Sequence, residues 1–115
     1  MHMGKKTKEK QFEEYGGVTY QDCWGMDVRL AGIISTNLHA FLQALKRCPS
    51  CPAGFSREYG EDNAMKEWLG VIRKMIFAFD QYTITKWEPE KDPGTQERIR
   101  EGMELFIEHF RNLWI

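Results

Sequence analysis

Two cysteines three residues apart are the side chains whose spacing most resembles a reactive site. Cys48 and Cys51 form a C-x-x-C pair, which occurs as half of a zinc site and as a redox-active dithiol. Zinc requires four ligands, and the sequence contains neither a second C-x-x-C pair nor a closely spaced pair of histidines. A redox pair lies at a helix N-terminus, where the helix dipole stabilises the thiolate, whereas this pair follows a predicted helix. We therefore expect two free thiols at the end of a helix, with a zinc site as the alternative.

One carboxylate and one imidazole are the candidates for acid–base chemistry. Asp27 falls within the apolar stripe of the first predicted helix, where a carboxylate must be hydrogen-bonded, paired or protonated. It is either a polar anchor in a ligand pocket or a structural partner of a tryptophan, an arginine or a backbone amide. His109 flanks the stripe of the last predicted helix and would meet Asp27 across the core, as in pairs that orient a general base; the alternative is a partly buried histidine with one hydrogen bond. Because no motif places a nucleophile beside them, we predict that the protein is not an enzyme.

Four charged residues of the last two predicted helices lie near aromatic positions: Arg73, Asp80, Arg98 and Arg100. A guanidinium stacked on an aromatic ring can hold a phosphate or a nucleobase, although the same residues suit a solvated helix face with i,i+4 charge pairs. Tryptophans are the aromatic candidates, with an anchor in the core or in an interface as their alternative role. The predicted ligand-binding set is therefore Trp24, Asp27, Arg73, Arg98 and His109, and no cofactor is predicted.

Three amphipathic helices have to position these side chains. Apolar residues at helical spacing predict helices at about 19–47, 64–85 and 93–114. Residues 48–63 contain two prolines and two glycines and are predicted as a loop, and residues 1–18 as a flexible arm. The predicted fold is a single all-α domain over 19–115, an up-down-up three-helix bundle.

Local signals support the helix ends and one close contact. Thr19 and Asp22 resemble a capping box with aspartate in place of glutamate. Asp92 followed by Pro93 is typical of a helix start, with aspartate as the cap and proline at the first position. Gly102 lies on the apolar stripe of the last helix, which predicts that a neighbouring helix comes close there.

The apolar surface of the three helices exceeds what a monomeric bundle buries. The first helix carries a second apolar group beside its main stripe, and the second helix carries apolar residues on a further face. These additional residues are Met26, Leu30, Ile33, Phe77 and Ile84. We therefore predict self-association, most simply as a two-fold dimer and otherwise as a higher homo-oligomer.

Composition excludes several classes of protein. The chain of 115 residues is 42% hydrophobic and 29% charged, as expected for one globular domain. Sixteen basic residues against 17 acidic ones exclude a typical duplex nucleic-acid binder, which carries a basic excess. No run approaches the ~18–20 apolar residues of a membrane span. Three cysteines without a recognisable secretory signal indicate a reducing cytoplasm.

Three blocks of the sequence together resemble small proteins encoded by bacteriophages and prophages that have no assigned activity. The blocks are Trp24-Gly-Met-Asp27; Glu67-Trp68, Ile72, Lys74-Met75-Ile76 and Ala78-Phe79; and Glu101-Gly102, Leu105-Phe106, Phe110 and Leu113-Trp114. The resemblance covers roughly 20–47 and 64–114. It implies a viral or prophage origin and a setting in the host cytoplasm, and it brings no catalytic residues.

These observations predict a helical interaction and oligomerisation module of phage type without catalysis. Its partners would be a second copy of the chain and a host or phage protein, with no membrane and no duplex nucleic acid. The alternative is a protein that binds or sequesters a small nucleotide-like ligand. A metal-binding protein or an acid–base enzyme is the third hypothesis.

Overall fold

The computed structural model describes residues 12, 13 and 15–115, and within them the chain is all-α. Four α-helices run over Met26–Arg47 (α1), Ala53–Tyr59 (α2), Glu61–Thr85 (α3) and Pro93–His109 (α4). Most of the predicted flexible arm lies outside the described residues. Residues 15–18 of the arm form a tight turn, in which Tyr15 and Val18 make an isolated antiparallel bridge.

Three short 3-10 turns lengthen the helical segments. Gln21–Gly25 precedes α1, Pro89–Lys91 lies between α3 and α4, and Phe110–Asn112 follows α4. The first and last predicted helices therefore each consist of an α-helix plus a 3-10 turn. Over residues 12, 13 and 15–115, no helix combines the length and the apolar character needed to cross a bilayer.

The predicted loop at 48–63 is wrong, and with it the count of three helices. Residues 53–59 form α2, although the nearby prolines suggested a loop. Phe55 is buried, and its ring lies 5.2 Å from that of Trp68. This contact anchors the helical turn. Gly60, at φ +82°, lets α2 end and α3 begin at the next residue. A side chain at that dihedral would be strained, so glycine permits this abrupt junction.

The predicted caps are confirmed in the structure. Thr19 and Asp22 satisfy each other reciprocally: the Thr19 amide donates to Asp22 Oδ2 at 2.9 Å, and the Asp22 amide donates to Thr19 Oγ1 at 3.2 Å. This box precedes the 3-10 turn rather than α1 itself. At α4, Asp92 Oδ1 accepts from the Thr95 amide at 3.1 Å, with Pro93 in the first turn. Each cap satisfies a backbone N–H that the helix leaves without a partner.

Helix α3 is the centre of the fold, and the other three helices pack on it. Trp68, Ile72 and Met75 on α3 are almost completely buried. Helix α1 contributes a row of buried residues spaced seven apart, Ala31, Leu38 and Leu45, which repeats every two turns and so faces α3 along its length.

Gly102 confirms the predicted close approach of α4 to α3. A Cβ atom added at position 102 would lie 2.5 Å from the Cβ of Ala78 and closer still to the carbonyl oxygen of Lys74. The two backbones therefore meet at a distance that only glycine allows at this position.

The predicted three-helix bundle is not confirmed, since the described residues form four α-helices. Helices α1 and α4 both pack extensively on α3, but they have little backbone contact with each other. A groove lined by apolar side chains lies between α1 and the end of α4.

Candidate functional site

The structure distributes the predicted ligand-binding residues over three separate places. Trp24 and Asp27 lie at the start of α1, Arg73 and Arg98 lie between α3 and α4, and His109 lies at the end of α4. They do not form one site.

Asp27 contacts residues at the end of α3 and is not buried, since its side chain is 40% exposed. Tyr82 Oη donates to its Oδ2 at 2.5 Å, and Lys86 Nζ lies 2.7 Å from the same oxygen. The Lys86 ammonium, and after it the Tyr82 hydroxyl, lowers the pKa of Asp27 to about 2. The prediction of a buried carboxylate is wrong because Asp27 lies in the first turn of α1. There the facing end of α3 presents long polar side chains, and Asp27 is their structural partner.

The predicted meeting of Asp27 with His109 is wrong. Asp27 contacts Tyr82, whereas the His109 ring lies 5.4 Å from that of Trp68. Tyr82 and Trp68 are 14 residues apart on α3, or about 21 Å along the helix axis at ~1.5 Å per residue. The two groups therefore lie towards opposite ends of α3, and no acid–base pair forms between them.

Arg73 and Arg98 are brought together at a groove between α3 and α4. The groove has a volume of about 350 Å³ and is also lined by Lys74, Phe77 and Glu101. The Arg98 guanidinium lies 3.8 Å from the centroid of the Phe77 ring, so its aromatic neighbour is a phenylalanine rather than the tryptophan or tyrosine that the sequence suggested. Lys74 and Glu101 form an ion pair across the groove at 2.8 Å.

The cysteines form neither a disulfide nor a metal site in the described chain. Cys48 is exposed and Cys51 is half-buried, and both are free thiols. No group of three or more histidine, cysteine, aspartate or glutamate side chains in residues 12, 13 and 15–115 is arranged to hold a metal ion.

A cavity lies where the α1–α2 connection meets the segment that follows α4, and we call it the C-terminal cavity. Its volume is about 590 Å³. One wall is formed by residues 50–55 with Glu58, and the other by His109, Asn112 and Trp114. Sequence reasoning located His109 but missed Glu58 and Asn112, because nothing in the sequence shows that α2 folds back towards the last turn of α4.

His109 is held in place by aromatic packing. Its ring makes edge contacts with Phe55 at 5.5 Å and with Trp68 at 5.4 Å, and only 15% of its side chain is exposed. The side-chain nitrogen of Asn112 lies 3.5 Å from His109 Nδ1. Two aromatic neighbours thus fix one rim of the cavity, and His109 is the partly buried histidine of the alternative prediction.

Carboxylates surround Tyr59 beside this cavity. The charges of Glu58, Glu67 and Glu108 raise the pKa of Tyr59, with Glu58 as the largest influence. A negative charge on the tyrosine is disfavoured there because the neighbourhood is already negative.

The second cavity is an apolar groove between α1 and the end of α4, which we call the α1–α4 groove. Its volume is about 370 Å³. The apolar residues that line it are Ile33, Ile34, Leu38, Phe41, Phe106, Phe110 and Leu113. Asn37 also lines it, but its side-chain nitrogen donates to the Ile33 carbonyl of its own helix at 2.7 Å. The groove is therefore an uncharged apolar surface.

The segment that follows α4 separates the two cavities. Phe110 and Leu113 line the α1–α4 groove, whereas His109, Asn112 and Trp114 line the C-terminal cavity.

No family model, curated protein or solved structure matches the chain. The geometry of these surfaces is therefore the basis on which its function is proposed.

Proposed function

We propose that the protein is a phage-type helical interaction module that self-associates through the α1–α4 groove and has no catalytic activity of its own. The observation that carries the proposal is the groove itself, a concave row of apolar side chains without a charged group among its lining residues. Large exposed apolar patches mark interaction surfaces on folded proteins.

The exposed apolar residues at the groove are large enough to form the centre of an interface. Phe110 is 64% exposed, and Leu30 and Ile33 on α1 are 46% and 44% exposed. Leu30 precedes Ile33 by one helical turn, so it extends the apolar face of α1 beyond the groove. Interface centres are enriched in such apolar and aromatic anchors and depleted in charge.

A second copy of the same chain suits this surface because the surface offers both a projection and a recess. Phe110 projects at one edge, and Ile34, Leu38 and Phe41 form the floor. In a two-fold dimer the same patch pairs with itself, so each Phe110 enters the groove of the other copy. An uncharged lining makes this pairing possible without burying an unpaired charge.

Sedimentation over a range of protein concentrations tests the proposal. We expect the average mass of the wild-type chain to rise from 13.6 kDa towards twice that value. Phe110→Asp removes roughly 100 Å² of apolar surface from each copy, which at ~25 cal/mol per Å² is about 2.5 kcal/mol per copy. Two copies together correspond to a loss of more than about a thousandfold in affinity.

Ile84→Asp is the matched control, because Ile84 is 71% exposed and does not line the groove. It should dimerise like the wild type, and circular dichroism should show that both variants keep the helical fold. A wild-type chain that stays at 13.6 kDa at all concentrations, or a Phe110→Asp chain that dimerises like the wild type, refutes the proposal.

A further inference from the structure

We propose that the C-terminal cavity binds a small organic cation, with the cationic group over the indole of Trp114 and against the carboxylate of Glu58. This site is separate from the α1–α4 groove, and the proposal does not depend on self-association.

The size of the cavity fits a small molecule. Binding pockets for small ligands have volumes of ~300–1,000 Å³ and combine apolar walls with a few polar groups. The C-terminal cavity, at about 590 Å³, has aromatic side chains, a carboxylate, an amide and a thiol among its lining residues. One rim is already ordered, because His109 is packed between Phe55 and Trp68.

The charge of the lining favours a cation over an anion. Glu58 contributes a carboxylate, and no lysine or arginine is among the described residues that line the cavity. Nearby Glu67 and Glu108 add to the negative potential that is felt at Tyr59. A phosphate or carboxylate ligand would meet repulsion here, whereas an ammonium or guanidinium group would be attracted.

Trp114 supplies the aromatic surface that such a group prefers. Its side chain lines the cavity and is 68% exposed, so much of the indole surface is open to solvent. Tryptophan is the strongest of the aromatic side chains in cation–π contacts, and quaternary ammonium groups are bound in this way. A cation between Trp114 and Glu58 would combine this attraction with a charge–charge contact.

Titration calorimetry with choline and with dimethylbutanol, its neutral carbon isostere, tests the charge requirement. The two probes have nearly the same shape and differ in the positive charge. We expect choline to bind about tenfold more tightly than the isostere, because only choline offers a positive charge to the indole and to the carboxylate. Equal affinity for the two probes, or no heat from choline and from agmatine at millimolar concentration, overturns the proposal.

Two substitutions assign the binding to this cavity. Glu58→Gln removes the charge with little change of shape, and Trp114→Ala removes an exposed ring; each should weaken choline binding by about fivefold or more. The matched controls are Glu90→Gln and Trp87→Ala, both exposed and absent from the cavity lining. The assignment is contradicted if both test variants still bind choline like the wild type. It is also contradicted if the control variants lose as much choline affinity as the test variants. Phe110→Asp should bind choline like the wild type, which separates this site from the groove.

Discussion

Replacing Gly102 by alanine sets helix propensity against helix packing at one position. In an exposed helix interior, alanine is more stable than glycine by ~1 kcal/mol. At position 102 the added Cβ would meet the Cβ of Ala78 at 2.5 Å and the Lys74 carbonyl more closely still. The obstructing atoms belong to the backbone and to a methyl group rather than to a flexible side chain. Helices α3 and α4 must therefore move apart.

The magnitude follows from these two opposing effects. Inserting one carbon into a tightly packed contact costs typically 1–3 kcal/mol and more where backbone must shift. We use the upper end of this range, which outweighs the gain in propensity and leaves Gly102→Ala about 2 kcal/mol less stable than the wild type. Urea denaturation followed by circular dichroism measures this difference as a lower midpoint with an unchanged slope.

Gly32→Ala is the matched control for this experiment. Gly32 lies within α1 and is exposed, and a Cβ there would have no neighbour within 4 Å. The same substitution should therefore stabilise the protein by about 1 kcal/mol at position 32. If Gly102→Ala were as stabilising as Gly32→Ala, the close packing of α3 against α4 would be refuted.

Two further predictions concern the two ends of α1, where Asp27 lies in the first turn and Cys48 and Cys51 follow the last. The pKa of Asp27 is lowered to about 2 by Lys86, so the contribution of their contact is complete above the unfolded value of 3.8 and is lost as the pH falls towards 2. The stability difference between the wild type and Asp27→Asn, measured by urea denaturation at several pH values, should shrink over that interval; a constant difference would contradict the ion pair. Among the cysteines, exposed Cys48 should be alkylated by iodoacetamide faster than half-buried Cys51, as measured by peptide mass spectrometry. Equal rates would show that Cys51 is not shielded.

Much of the helical architecture could be predicted because its signals are local. The Asp92 cap depends on residues within one turn of each other, and the apolar repeat through Ile99 and Phe106 identifies the packed face of α4. Gly102 is informative because glycine weakens a helix interior, so its place on an apolar stripe favours a role in close packing. The self-association and the phage origin remain predictions.

The remaining features depend on contacts between distant parts of the chain. Helix α2 forms where Phe55 finds Trp68, and nothing in residues 48–63 shows that this partner is within reach. The helical pattern places Asp27 on the apolar stripe of α1. How far its side chain is buried depends on where α3 ends, and the sequence of α1 carries no information about that. The groove between α1 and the end of α4 likewise depends on how both helices pack on α3.

The segment from His109 to Trp114 lies between the groove and the cavity and presents different side chains to each. Phe110 and Leu113 face the groove, and Asn112 and Trp114 face the cavity. Because the two sets of residues alternate within six positions, one short stretch of backbone positions side chains for both surfaces, and a substitution that distorts this backbone would alter the groove and the cavity together.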